Sequence, residues 1–210
     1  MGAAPDVVTV DFWFDPVCPY SWTASRWLRE VGQQRELRVR HHVMSLFLLN
    51  QDRTDVAAEY RRSVEESRGP ARVATGVAVS FGEEVLADFY TAFGERVFDV
   101  WRRPTAAEYH EVIRAALAQL RLPADLEGAM ECDDYDAPMR LSHEAGVALV
   151  GSEVGTPITS IDGVAFFGPV LNGIPRGEQA LQVFECARLL AGYPQFYELK
   201  RTRLQPPVFT

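Results

Sequence analysis

A cysteine followed by a proline stands at positions 18 and 19, just after an apolar segment that ends at Phe14. If that segment is a strand and a helix follows it, Cys18 caps the helix and Pro19 fills the first helical position, where a missing N–H costs nothing. The next two backbone amides and the positive end of the helix dipole then favour thiolate over thiol. We therefore predict a nucleophilic Cys18 with a lowered pKa, to which the Ser21 hydroxyl can donate. The alternative is a buried, unreactive cysteine.

The other two cysteines offer less chemistry. Cys132 has carboxylate neighbours, which disfavour a thiolate, and Cys186 lies in a helical pattern where a small packing residue is expected. Three widely spaced cysteines form neither a disulfide framework nor a zinc-ligand pattern. No glycine-rich nucleotide-binding loop is present either. From these two absences we predict a site that uses neither a metal nor a nucleotide.

Composition limits the partners. The chain has 210 residues, 47% of them hydrophobic and 24% charged, with a formal net charge of −8. That acidity disfavours nucleic acid and anionic membrane surfaces as partners. No apolar run is long enough for a transmembrane helix, and the amino terminus lacks a basic signal region, so a cytoplasmic location is expected. Both a monomer and a homodimer fit the sequence.

Sequence periodicity places Cys18 between the first strand and the first helix. Residues 7–14 and 37–44 favour strands and residues 19–31 a helix, which gives a β-α-β unit with parallel strands. Helices are then predicted at 56–67, 70–81, 85–98, 105–120 and 136–150. Residues 158–161 and 164–167, joined by Asp162-Gly163, are typical of a β-hairpin with a type I′ turn, and 177–191 of a final helix.

This order of elements predicts an α/β thioredoxin-like fold, β-α-β followed by α-β-β-α, with a large all-helical insertion. We assign residues 1–50 and 151–210, with the helix at 136–150, to the thioredoxin-like domain and 51–135 to an inserted cap. In such a sheet, the position of Pro157 holds a cis-proline that faces the cysteine. The backbone of Thr156 then offers edge-strand hydrogen bonds to a bound thiol or peptide.

Five segments carry a family resemblance: DFWFDPVCPYSW at 11–22, HVMSL at 42–46, VGTPI at 154–158, GVAFFGP at 163–169 and FYELKRTR at 196–203. Through them the chain resembles the DsbA family, in particular its cytosolic actinobacterial branch, which includes mycothiol-dependent reductases. The resemblance implies a low-molecular-weight thiol, mycothiol, as cosubstrate. It also implies catalytic roles for Cys18, Ser21 and Pro157, and a pocket for thiol and substrate lined by Pro19, Tyr20, Trp22, Asn50, Tyr60, Phe98, Trp101 and Thr156.

Two departures from the family pattern bear on the reaction. Dithiol relatives carry a second cysteine where Ser21 stands, and a serine cannot resolve a mixed disulfide. Related reductases have a polar His-Asn pair where this chain has the segment from Phe98 to Trp101, which makes the expected pocket more apolar.

Three functions remain open from the sequence. The first is an enzyme in which Cys18 and an external thiol reduce or conjugate a small molecule or mixed disulfide. The second is an isomerase, in which the thiolate adds reversibly to a conjugated alkene, the former double bond rotates, and the thiolate leaves. The third is a redox-inert module that binds a partner along the edge at Pro157.

Overall fold

A computed structural model of the chain describes residues 7–98 and 104–209. In chain order its elements are β1 Val8–Phe14, α1 Pro19–Gly32, β2 Leu37–Val43, α2 Leu46–Asn50, α3 Ala58–Phe81, α4 Glu83–Phe98, α5 Ala106–Gln119, a 3-10 helix Ala124–Met130, α6 Asp136–Val150, β3 Ile158–Ile161, β4 Val164–Phe167 and α7 Gly177–Ala191.

Strand β1 lies inside a mixed four-stranded sheet in the order β2-β1-β3-β4. It runs parallel to β2 and antiparallel to β3, and β3 and β4 form an antiparallel hairpin. Asp162 and Gly163 both have positive φ, 50° and 86°, as a type I′ turn requires. The predicted α/β, thioredoxin-like arrangement is confirmed.

The two faces of β1 are covered by different helices. Phe12 and Phe14 belong to a large apolar core shared with α1, α4 and α7. The indole N–H of Trp27 in α1 donates to the Ala180 carbonyl of α7 at 2.9 Å, which ties these two helices together. Trp13 points to the other face, where a Cβ on Gly146 of α6 would overlap its ring. Glycine at that position lets α6 approach the sheet closely.

The prediction of two helices at 56–67 and 70–81 is wrong, because α3 continues through Pro70. Side chains on either side of the proline are held by one carboxylate. Arg68 and Arg72 both donate to Asp136 at the start of α6, at 2.6 Å in their shortest contacts. Gly69 packs against Met130 of the 3-10 helix. These contacts compensate for the backbone hydrogen bond that proline lacks.

Other sequence predictions are confirmed where they depend on neighbouring residues and wrong or missing where they depend on tertiary packing. The helix predicted at 105–120 is present as α5, and a capping box begins it, since Thr105 and Glu108 satisfy each other's backbone amides. Helix α2 and the 3-10 helix were not predicted. Cys186 is exposed, so the expectation of a packing role is wrong. Among the described residues, none of the helices is both long and apolar enough to cross a bilayer.

Candidate functional site

The loop between β1 and α1 is fixed by a buried carboxylate. Asp15 accepts hydrogen bonds from the amides of Val17, at 2.9 Å, and Leu46, at 2.6 Å. The Cys18 amide donates to the Asp15 carbonyl at 3.1 Å and completes the turn. A single side chain therefore shapes the loop that presents Cys18 and ties it to the start of α2.

Cys18 is the N-cap residue of α1, and Pro19 stands at the start of the helix, as predicted. Cys18 is only 4% exposed to solvent. The thiol donates to the carbonyl of Thr156 at 3.6 Å, and the Thr156–Pro157 peptide bond is cis. The fold thus brings together the two ends of the site that lie 138 residues apart in sequence.

Burial raises the pKa of the Cys18 thiol, and the nearby Asp15 carboxylate adds to this effect. Hydrogen bonding from the Thr156 side chain and from the backbone and side chain of Ser21 lowers the pKa, but by less. The prediction of a lowered pKa is therefore wrong for the site as it stands. The helix N-terminus favours the thiolate, but the loss of hydration around the buried sulfur has the larger effect.

Two hydroxyl groups lie beside the sulfur. The oxygens of Ser21 and Thr156 are buried and lack a hydrogen-bond partner of standard geometry among the described residues. Both side chains nevertheless act on Cys18 in the direction that favours its thiolate. Buried hydroxyls are normally satisfied, so this pair forms an arrangement of donors suited to a negatively charged sulfur.

Tyr90 is a site residue that no sequence pattern singles out. It is fully buried on α4 and stacks on Phe14, with ring centroids 3.9 Å apart. Burial, the charge of Cys18 and the charge of Asp15 all raise the pKa of Tyr90 well above its usual value. The phenol therefore stays protonated, within electrostatic reach of the thiol. A helical pattern identifies Tyr90 as a core residue, but only the packing of α4 against β1 places it at the site.

Trp22, four residues after Cys18, belongs to a buried aromatic stack in which Trp22 is 2% and Phe98 1% exposed. Trp22 stacks on Phe98, with centroids 5.3 Å apart, and meets Tyr90 edge-on at 5.6 Å. Trp22 fits against α4 because residue 94 is a glycine, and a Cβ there would overlap the indole. Tyr20, half-buried at the start of α1, lies under the guanidinium of Arg203 at 5.1 Å.

Two other residues of the predicted pocket come from α2 and α3. Asn50 is buried at the end of α2, and its amide donates to the Leu46 carbonyl at 2.8 Å. Tyr60 is 40% exposed near the start of α3. Trp101 lies outside the described residues. Within residues 7–98 and 104–209, no group of three or more His, Cys, Asp or Glu side chains is arranged to hold a metal ion.

Two comparisons with solved structures agree with this fold. The structure of 2-hydroxychromene-2-carboxylate isomerase superposes with a TM-score of 0.58 at 14% identity, covering 86% of this chain and 93% of that one. A probable DsbA oxidoreductase, SCO1869 of Streptomyces coelicolor, gives a TM-score of 0.53 at 15% identity, covering 94% of each chain. At such low identities the likeness shows the fold alone.

Sequence comparison gives the family. The uncharacterized protein Rv2286c of Mycobacterium tuberculosis is 30% identical over 203 residues, which is 94% of this chain and 83% of that protein. A family model described as "mycothiol-dependent nitroreductase Rv2466c" matches residues 17–201, a span that holds Cys18, Ser21 and Pro157. With its DsbA-like fold and this match over most of its length, the chain belongs to the Rv2466c-like family.

Proposed function

We propose that the protein is an enzyme in which Cys18 is the single nucleophile and mycothiol is the cosubstrate that regenerates it. The observation that carries the proposal is the meeting of Cys18 with the Thr156–Pro157 loop while a serine stands at position 21. Cys132 and Cys186 lie on other elements, at the end of the 3-10 helix and on α7. The match to a mycothiol-dependent family supports mycothiol as the thiol.

For a disulfide substrate the reaction balances in two exchanges. The Cys18 thiolate attacks one sulfur of R–S–S–R′, forms a mixed disulfide with R–S and releases R′–S⁻. A mycothiol thiolate then attacks R–S at the substrate sulfur, which frees Cys18 and leaves R–S–S–mycothiol. Mycothiol is consumed in equal amount, and no internal disulfide forms because Ser21 carries no sulfur.

The surrounding residues have distinct roles in this proposal. Ser21 and Thr156 donate to the sulfur when it is charged, and the Thr156 backbone with Pro157 positions the bound thiol. Pro19, Tyr20, Trp22, Phe98, Asn50, Tyr60 and Trp101 line the pocket. Residues 51–135 form the cap over it, and residues 1–50 and 151–210 the thioredoxin-like domain. A reduced thiol cosubstrate is compatible with a cytoplasmic location.

The second candidate is thiol-assisted isomerisation, favoured by the apolar stack of Trp22 and Phe98. The Cys18 thiolate adds to the β-carbon of a conjugated enone or polyene, which turns the double bond into a single bond. Rotation and loss of the same thiolate restore the alkene in the other geometry. Nothing is oxidised or reduced, so mycothiol is not consumed.

Intact mass spectrometry tests the nucleophile. After exposure to mycothiol disulfide, we expect one mycothiol adduct on Cys18, removable by reduced mycothiol. Variants Cys132→Ser and Cys186→Ser serve as matched controls and should keep the adduct, whereas Cys18→Ser should lose it. An adduct confined to Cys132 or Cys186, or full turnover by Cys18→Ala, contradicts the proposal and leaves the binding-module alternative.

A second measurement separates the two reactions. A nitroaromatic, a mixed disulfide and a conjugated enone are followed by chromatography while mycothiol is titrated. Consumption of mycothiol in proportion to product supports reduction or conjugation. Isomer formation with catalytic mycothiol supports isomerisation and contradicts the first candidate.

A further inference from the structure

The C-terminal segment after α7 returns to the thiol site. The guanidinium of Arg203 lies over the ring of Tyr20, and Phe209 packs on Phe98 with centroids 5.3 Å apart. Two hydrogen bonds to Asn172 anchor the segment: its amide donates to the Pro206 carbonyl at 2.9 Å, and its carbonyl accepts from Val208 at 2.7 Å. The segment thus forms an outer wall beside two residues of the predicted pocket.

This wall is positively charged in an acidic protein. Lys200, Arg201 and Arg203 supply three cations within four residues, whereas the whole chain carries −8. Arg203 is exposed, and no carboxylate of the described residues lies within ion-pair distance of it. Other arginines near the sheet and α3, such as Arg35 and Arg72, have acidic partners. The cation beside Tyr20 is therefore available to a ligand.

The chemistry of a guanidinium over an aromatic ring defines the ligand. The ring attracts the cation and restricts its position, while the N–H groups at its edge stay free to donate. A carboxylate accepts two parallel N–H bonds from such a group. Tyr20 stands in the first turn of α1, so a carboxylate held there lies at the same, positive end of the helix as Cys18.

We propose that Arg203 is a specificity-determining residue that binds a carboxylate on the small-molecule electrophile attacked by Cys18. The inference deepens the proposed function and rests on it. It narrows the substrate class to anionic molecules. An anionic thiol such as glutathione has the same carboxylate chemistry, and the experiment separates the two sources.

The test uses one electrophile as its free carboxylate and as its methyl ester. Wild-type enzyme should favour the carboxylate, and Arg203→Gln should raise the carboxylate's KM by about tenfold or more, the worth of a charged hydrogen bond, with little change in kcat. The ester should be unaffected. Arg203→Lys should recover part of the loss, because it keeps the charge but not the fork. Arg201→Gln, which removes a charge from the same segment, should resemble wild type.

Three outcomes overturn the inference. An equal loss for carboxylate and ester means that Arg203 only anchors the segment to Tyr20. An unchanged preference for the carboxylate over the ester in Arg203→Gln means that another group binds the anion. A change in the KM for an anionic thiol such as glutathione, with the electrophile's KM unchanged, means that the residue binds the thiol and not the electrophile.

The failure of the proposed function gives a different signature. Calorimetric binding of a non-reactive aromatic carboxylate to Cys18→Ala, with and without Arg203→Gln, reports the anion site without any turnover. If that binding depends on Arg203 while Cys18→Ala retains activity, the site stands and the nucleophile assignment falls. If the binding does not depend on Arg203, the inference falls whatever the role of Cys18.

Discussion

At the residue scale, the sulfur of Cys18 experiences two opposing influences. Loss of hydration favours the neutral thiol, while Ser21 and Thr156 favour the thiolate. Burial has the larger effect on the pKa of Cys18. A substrate that enters the site must therefore also change the solvation of the sulfur. The two hydroxyls then decide how much thiolate forms.

Removing the Thr156 hydroxyl should raise the pKa of Cys18 further. We expect the pH midpoint of Cys18 alkylation to lie above the ~8.5 of a free cysteine in the wild type, and higher still in Thr156→Val. Thr156→Ser keeps the hydroxyl and should match the wild type. Peptide-resolved alkylation measured against pH checks this. A wild-type midpoint below the free value would show that burial does not control the thiol in solution.

The same shift has a defined sign for stability. The folded-state pKa of Cys18 is raised above its unfolded value, so its contribution is fully present below the unfolded pKa and is lost as pH rises through the folded pKa. Tyr90 shifts in the same direction. The site therefore contributes to a loss of stability on the alkaline side.

Ser21→Cys should lower steady-state activity when no reductant is present. The new thiol would lie one helical turn from Cys18, where an internal disulfide can form and remove the nucleophile. Ser21→Ala is the matched control and should cost at most about 1.5–3 kcal/mol, one hydrogen bond to a charged group. Activity assays with and without reductant decide the matter. A several-fold gain in disulfide turnover by Ser21→Cys would contradict the single-thiol mechanism.

The candidate site was predictable only where local sequence determines geometry. Cys18, Pro19 and Ser21 follow from one strand-to-helix junction, and Pro157 from the family resemblance. Tyr90 and Arg203 reach the site from α4 and from the C-terminal segment, and no local pattern records those approaches. The raised pKa of Cys18 depends on the same distant packing, which explains why the sequence argument gave the opposite direction.

At the element scale, the contact between α1 and α4 depends on Gly94. Gly94→Ala should lower the free energy of unfolding by about 1–3 kcal/mol, because the added Cβ overlaps the ring of Trp22 and the packed core cannot shift freely. Gly32→Ala is a control in the last position of α1, where a Cβ meets nothing within 4 Å. Urea unfolding measures both. Equal stability of Gly94→Ala and wild type would mean that Trp22 can move without cost.

His41 makes strand β2 sensitive to acid. Burial, with the charges of Arg26 and His42, lowers the pKa of His41 to about 4. Its unfolded pKa is ~6.5, so the stability due to the neutral ring is full above that pH and is lost as pH falls toward 4. We expect His41→Gln to show a shallower loss of urea midpoint than wild type between these pH values. Identical slopes would contradict a buried neutral His41.

The elements themselves were more predictable than their continuity. Periodicity and capping residues locate β1, α1, α5, α6 and the hairpin, because these signals are local. Pro70 led to a wrong prediction of two helices. Arg68 and Arg72 stabilise α3 across the proline by binding Asp136, which is in place only once α6 has docked. Ion pairs between residues far apart in sequence cannot be predicted from the periodicity of one helix.

At the scale of the whole molecule, one apolar core joins the sheet to the helices that precede β3. Phe12 and Phe14 of β1 share that core with Phe93 of α4 and Ile113 of α5. The proposed cap, residues 51–135, is therefore not expected to unfold alone. Tryptophan fluorescence and far-ultraviolet circular dichroism should give coincident urea transitions. Two separated transitions, with helix lost first, would show an independent cap.

The position of β1 in the sheet also has a consequence for biosynthesis. Val8 pairs with Leu37, but Val10 pairs with Ile161, which the ribosome adds much later. Until then the nascent chain can form its parallel pair and its helices, while one edge of β1 has no partner. An unpaired edge is a template for association with other chains. One edge of the strand that leads into the nucleophile thus stays unpaired until late in synthesis, and its partner strand arrives with the same segment that brings Thr156 to Cys18.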